Sequence, residues 1–148
     1  MEQGRLRTSA AIKGGTFYRQ VSVAALPAGE VLWVATFLPV RRWQDVFAFL
    51  RASARIEGQL RRTAGLIGYG VRADPLRRRF WTLSLWADRD AMNAFVRTDP
   101  HSRAVAGFAR WAAAGAAFVE WRATAKDLDW DEALARLKTP TFLFRAGQ

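Results

Sequence analysis

His101 is the only histidine in a chain that has no cysteine, so little side-chain chemistry is open to it. Without thiols there is no thiolate nucleophile, disulfide, iron–sulfur cluster or cysteine-bound zinc. One imidazole is too few for the usual zinc or non-haem iron site, and no such metal is expected. It can still act as a base, as a hydrogen-bond partner or as the axial ligand of a haem. His101 follows Asp99-Pro100, which predicts that it sits in the first turn of a helix. At about 100° per residue it shares a stripe with Val105, Phe108 and Ala112 and faces inward. Burial and the positive helix end both disfavour the imidazolium, so a neutral ring is expected; a hydrogen-bonded core or surface histidine is the plainer alternative.

Three further places could hold chemistry. In Arg79–Trp86 (RFWTLSLW), Phe80, Thr82, Ser84 and Trp86 alternate to one side, and such a mixture of hydroxyls and aromatics suits a pocket wall as well as ordinary sheet packing. Glu57 lies near an apolar helical stripe between Ser53 and Leu60, where its carboxylate tilts toward the interior or pairs with Arg61 four residues on. Glu120 is a similar candidate, with Arg122 as its partner or as a clamp for an anionic ligand.

These residues need elements to position them. Met1–Gly15 has Arg5, Arg7 and Lys13 among small residues with no periodicity, and reads as a flexible basic arm. Thr16–Ala24 and Val31–Val40 read as strands, the second apolar on both faces. Trp43–Ala64 has helical periodicity, Gly65–Val71 and Arg79–Trp86 are extended around an Asp74-Pro75 turn, and Asp88 caps a helix to about Arg97. After the helix of His101 come a strand over Gly115–Ala123, a short capped helix over Trp130–Lys138 and a Phe142-Leu143-Phe144 tail. The order β-α-β-β-α-β predicts an α+β, ferredoxin-like domain over 16–148 with its core at 31–123, two helices covering one face of an antiparallel sheet. Strands apolar on both sides leave the second face to be covered, most simply by the same face of a second copy, giving a homodimer.

Several patterns lead elsewhere and fail. Gly65, Gly68 and Gly70 enter a strand, whereas a dinucleotide loop leaves one, so they read as bulge or close-approach positions. Asp127, Asp129 and Asp131 lack the turn glycine and distal Glu of a calcium loop and read as helix caps. The same strand order serves RNA-recognition modules, but Arg79–Trp86 lacks their glycine and paired aromatics, and nucleic acid is not expected as a partner.

Across its 148 residues the chain is 51% hydrophobic, with a net charge of +10. That is apolar enough for a real core and excludes disorder for the bulk. No apolar run reaches the ~20 residues of a bilayer span and the N-terminus lacks a secretory stretch, so a cytoplasmic protein with no membrane partner is expected.

Gly-Leu-Ile-Gly-Tyr at 65–69, Phe80–Trp86, Asp90-Ala91-Met92-Asn93-Ala94-Phe95 and Pro100-His101 together resemble the dimeric α/β barrel superfamily, in particular the antibiotic-biosynthesis-monooxygenase type, over about Val31–Ala123. The resemblance implies two ferredoxin-like protomers packed sheet to sheet, each with a cavity between sheet and helices. It further implies an oxygenase-like enzyme, cofactor-free, acting on a hydrophobic or aromatic small molecule in a pocket of Trp33, Phe80, Ser84, Trp86 and His101. In that reading His101 is base or hydrogen-bond partner, Trp86 an aromatic wall, and Arg72 or Arg122 an anchor for the substrate anion. In the haem-degrading branch the histidine position is a haem ligand, so a haem protein ligated by His101 is the alternative, although Val31–Leu38 lacks the asparagine often found there. A non-catalytic binding protein is the third reading, since few titratable residues point inward.

Overall fold

The structure is a computed structural model and describes residues 6–144. The described residues form seven strands: β1 (Arg7–Lys13), β2 (Thr16–Ser22), β3 (Glu30–Pro39), β4 (Leu66–Asp74), β5 (Arg79–Trp86), β6 (Ala117–Thr124) and β7 (Phe142–Leu143). Helices α1 (Trp43–Leu60), α2 (Arg89–Arg97), α3 (His101–Gly107) and α4 (Trp130–Arg136) lie between or after them. The strands form one antiparallel sheet in the order β1-β2-β4-β5-β3-β6-β7. Its central β4-β5-β3-β6 block with α1 to α3 is the expected ferredoxin-like α+β arrangement.

The caps read from sequence are in place. Asp88 accepts from the Ala91 N–H at 2.8 Å at the start of α2, and Asp129 accepts from the Glu132 N–H at 3.1 Å at the start of α4.

Two features depart from the expectations. The reading of 1–15 as an arm does not hold over Arg7–Lys13, which pairs with β2 along its whole length; residues 1–5 lie outside the described residues. The cause is Gly14-Gly15. Both have positive φ, 56° and 82°, the conformation a two-residue hairpin turn between right-twisted strands demands. Every residue of β1 is exposed, which is why no periodicity marks it as a strand.

The second face of the sheet is not bare. Val31, Trp33, Ala35, Leu83 and Leu85 are buried within the single chain, packed with Trp130 and Ala133 of α4. Gly70 makes the contact possible: a Cβ there would sit 2.8 Å from Leu128 Cδ1 and 3.3 Å from Trp130 Cζ2. The close-approach reading of that glycine is thus correct, and a register shift between Leu66 and Gly68 supplies the bulge. The short C-terminal helix takes the place given to a second subunit, so a homodimer no longer follows from an uncovered sheet. Trp33 and Trp121 stack there at 5.8 Å between ring centroids. On the opposite face, α1 and α2 bury Leu32, Val34, Leu66, Tyr69 and Trp86 with Met92 and Phe95.

Candidate functional site

The cross-strand register divides the expected pocket between two faces. Leu32 pairs with Trp86, Val34 with Ser84 and Leu38 with Phe80, so these side chains stand on the helix face, whereas Trp33 pairs with Leu85 and Trp121 on the α4 face. Arg72 pairs with Trp81 and also belongs to the α4 side. Its guanidinium lies 4.0 Å from the Trp81 ring centroid and its Nε donates to the Tyr18 hydroxyl at 3.0 Å, a cation–π clamp remote from His101. Trp33 and Arg72 therefore drop out of the site. Arg122 stands opposite Leu32 and is exposed. Glu120 pairs with Arg89, at 2.5 Å, rather than with Arg122.

On the helix face the hydroxyls are already satisfied. Trp86 Nε1 donates to Ser84 Oγ at 2.9 Å, and the hydroxyls of Thr36 and Thr82 bond each other across β3 and β5. Phe80 packs on Phe49 with centroids 4.7 Å apart. Trp86 is 1% exposed, so it is a core residue supporting a site and not a wall a ligand touches.

From Trp86 an aromatic ladder leads outward. Its ring lies 5.3 Å from Phe95, and Phe95 lies 4.7 Å from the half-buried ring of His101. His101 Nδ1 is 3.3 Å from the Val96 carbonyl. A carbonyl only accepts, so Nδ1 carries the proton and Nε2 keeps a free lone pair; Nε2 has no partner among the described residues. Burial holds the imidazole below its ordinary value of 6.5, against the opposing pull of the Val96 carbonyl. That direction agrees with the neutral ring expected from the sequence, whereas Val105, placed on the same inward stripe, is 56% exposed.

Gln59 of α1, which sequence reasoning missed, fixes the position of that ring. Its Oε1 accepts the His101 backbone N–H at 3.0 Å, and its Nε2 donates to the carbonyls of Phe95 and Thr98 at 3.1 and 3.0 Å. A polar residue at the rim of a helical stripe gives no sign of a partner so far along the chain. The same amide lines an open groove of about 790 Å³ between α1 and the α2–α3 junction, together with Phe95, Pro100, Arg55, Arg62 and Asp99. The lining reaches Phe95 and Pro100, the ring neighbour and the chain neighbour of His101, but not the His101 side chain itself, and it includes two arginines beside Ala54, Ala94 and Phe95.

Glu57 is committed elsewhere. Its carboxylate accepts from the Tyr69 hydroxyl at 2.7 Å and from Arg61 Nη2 at 3.2 Å, and it also pairs with Arg19 of β2. Burial pushes its pKa up, but the Tyr69 hydrogen bond and the two guanidinium groups outweigh burial and hold it below the ordinary carboxylate range. A depressed folded value means stability that is complete above the unfolded pKa of about 4.3 and is lost as pH falls through the folded value. Glu57→Gln is expected to flatten the acid limb of stability below about pH 4.3 in urea titrations; an acid limb identical to that of the wild type would show that the network stores no net stability.

Residues 42–107 match the family model for antibiotic biosynthesis monooxygenase. The match contains Trp86, Phe95 and His101 and all the motifs of the sequence resemblance between 65 and 101, but is narrower than Val31–Ala123. Solved structures agree on the fold. A crystal structure of an antibiotic biosynthesis monooxygenase shares 18% identity over 63% of this chain and 98% of its own, with a TM-score of 0.56. Rv0793 from Mycobacterium tuberculosis shares 13% over 68% of this chain and 100% of its own, at 0.57. NE2512 from Nitrosomonas europaea shares 14% over 70% and 98%, also at 0.57. No curated protein matches the sequence. The ferredoxin-like fold of the antibiotic biosynthesis monooxygenases is thus shared, at identities that speak to fold alone.

Proposed function

We propose that the chain is a cofactor-free monooxygenase acting on a hydrophobic, hydroxylated aromatic molecule that enters by the groove between α1 and the α2–α3 junction. One observation supports this above all: inside the family match, an imidazole whose Nε2 has no partner among the described residues packs on Phe95, and Phe95 also lines that groove. In this reading Nε2 accepts the proton of an acidic C–H or phenolic O–H, and Phe95 offers a face to the ring. Arg55 and Arg62 stand where the developing enolate or phenolate needs positive charge. The anion itself supplies the electrons to dioxygen. For an activated methylene, CH₂ becomes C=O with one oxygen atom, and the other leaves as water with the two hydrogens. Arg55 and Arg62 thereby replace Arg72 and Arg122 as anchors.

A haem ligated by His101 is supported less well. Nε2 has the right chemistry, but the His101 side chain does not line the groove, and Arg55, Gln59, Arg62, Thr63, Thr98 and Asp99 make up much of that lining, where a porphyrin face requires an apolar slot. These residues do not fit the group.

Oxygen uptake in an electrode cell, with a panel of polycyclic phenols and anthrone-like ketones, tests the proposal. The expected result is substrate-dependent consumption of one O₂ per carbonyl formed. Tight binding across the panel with no uptake would establish a binding protein instead.

A further inference from the structure

The net charge of +10 and the exposed apolar residues meet at one end of the molecule, away from His101. The β4–β5 turn is held against the start of α1: Val40 N–H donates to the Arg78 carbonyl at 2.8 Å, Arg78 Nε returns to the Val40 carbonyl at 3.3 Å, and the Arg78 guanidinium lies 5.3 Å from the Trp43 ring centroid. Leu76 stands at the tip of this turn, 81% exposed. Trp43, Phe47 and Leu50 follow at i, i+4 and i+7 along α1, and Phe47 is 79% exposed. Phe17 pairs with Ala73 just before the turn, and Ile12 pairs with Phe17; both are exposed and end the β1–β2 hairpin on the same side.

The charged residues of this surface are mostly cationic. Lys13, Arg41, Arg42, Arg77, Arg78 and Arg79 lie next to its apolar residues along the chain. Its carboxylates are already engaged, Asp45 by Arg42 and Asp74 by Arg77. Among the described residues, Lys13, Arg41, Arg78 and Arg79 have no carboxylate partner. Exposed Trp, Phe and Leu within a cationic rim are what the interface of an anionic bilayer accepts: the apolar groups enter the headgroup boundary, and each nearby Lys or Arg adds attraction. An acidic protein surface would reward the rim but leave Phe47 and Leu76 without a pocket, and nucleic acid would leave them in water.

We infer that this end of the molecule is a docking surface for anionic lipid bilayers, on which the protein lies without crossing. No helix among the described residues is long and apolar enough to span a membrane, and a surface mode needs none. The inference stands apart from the chemistry at His101.

Flotation with vesicles tests it, comparing phosphatidylcholine alone with phosphatidylcholine mixed with phosphatidylglycerol. The full chain is expected to bind the mixed vesicles at least about tenfold better, and to release as salt rises. Phe47→Asp and Leu76→Asp, both at exposed positions, should each abolish flotation while far-UV circular dichroism and urea stability stay at wild-type values. Equal flotation with both vesicle types would overturn the inference, as would aspartate variants that float like wild type. So would a solution dimer that Phe47→Asp splits, since the surface would then be an interface between two copies.

Discussion

His101→Ala is expected to lower kcat/KM for oxygen consumption by about 10²- to 10⁴-fold, the usual contribution of a positioned general base. The arrangement singles out this residue because the other acceptors nearby are engaged, the half-exposed Asp99 carboxylate by Arg103 at 3.5 Å and by the Ser102 hydroxyl. The Glu57 carboxylate already serves Tyr69, Arg61 and Arg19, and the hydroxyls of Ser84, Thr36 and Thr82 are bonded within the sheet. In the proposed reaction the neutral imidazole is the active form, so the rate should rise with pH through the folded pKa, and burial places that inflection below the ordinary 6.5. A mere spacer at position 101 would make other predictions. His101→Gln, which keeps a hydrogen-bonding side chain of similar reach, should then restore the rate; for a base it should not, and the acidic limb should vanish in both variants. An acidic limb that survives in His101→Ala would assign the base to another residue. NMR titration of the C2 proton in the wild type gives an independent reading, because a pKa above 6.5 is incompatible with the buried neutral ring.

Trp130→Ala is expected to cost about 3–5 kcal/mol, the range for truncating a large aromatic in a packed core. Trp130 is 9% exposed and meets Tyr18 edge to face at 6.2 Å. It closes a cluster in which Trp33, Ala35 and Leu83 are 0% exposed. Removing it opens the second face of the sheet to water, so urea denaturation should shift to a lower midpoint and the variant should bind a hydrophobic dye that the wild type ignores. Association between chains should appear in the variant on light scattering, since an apolar sheet face without its helix seeks another cover. Arg136→Ala, which removes a guanidinium 4.9 Å from the Trp121 centroid together with its exposed ion pair to Glu132, serves as the mild comparison. A loss below about 1 kcal/mol for Trp130→Ala would mean that α4 is an ornament and not a structural wall.

The residues made much of this legible. Period-2 and helical patterns located β3, β5, β6 and α1, and Asp88 and Asp129 announced the helices they cap, because those signals act over three or four residues. The neutral His101 was likewise readable, since burial and helix position are local. Other features lay beyond a one-dimensional reading. The β1 strand has no buried face and hence no alternation. Two apolar faces on β3 say that both are covered, but not whether by a second chain or by a helix ninety-odd positions along the same one, as Trp130 is from Trp33. Trp33 and Arg72 failed as site residues because parity along a strand decides the face: odd positions of β3 and, beyond the bulge at Leu66–Gly68, even positions of β4 look toward α4. The role of Gln59 depends on contacts 36 to 42 residues away, which nothing in its neighbourhood encodes.

That glutamine also links two properties that would otherwise vary separately. A single amide on α1 ties the end of α2, the connecting Thr98 and the first residue of α3 to the helix that carries Arg55 and Arg62. Any shift of α1 that widens the groove must carry the His101 backbone with it or break three hydrogen bonds. The groove proposed to admit a ligand and the backbone that carries His101 are therefore a single mechanical unit, and substitutions that change the width of the first will also displace the second.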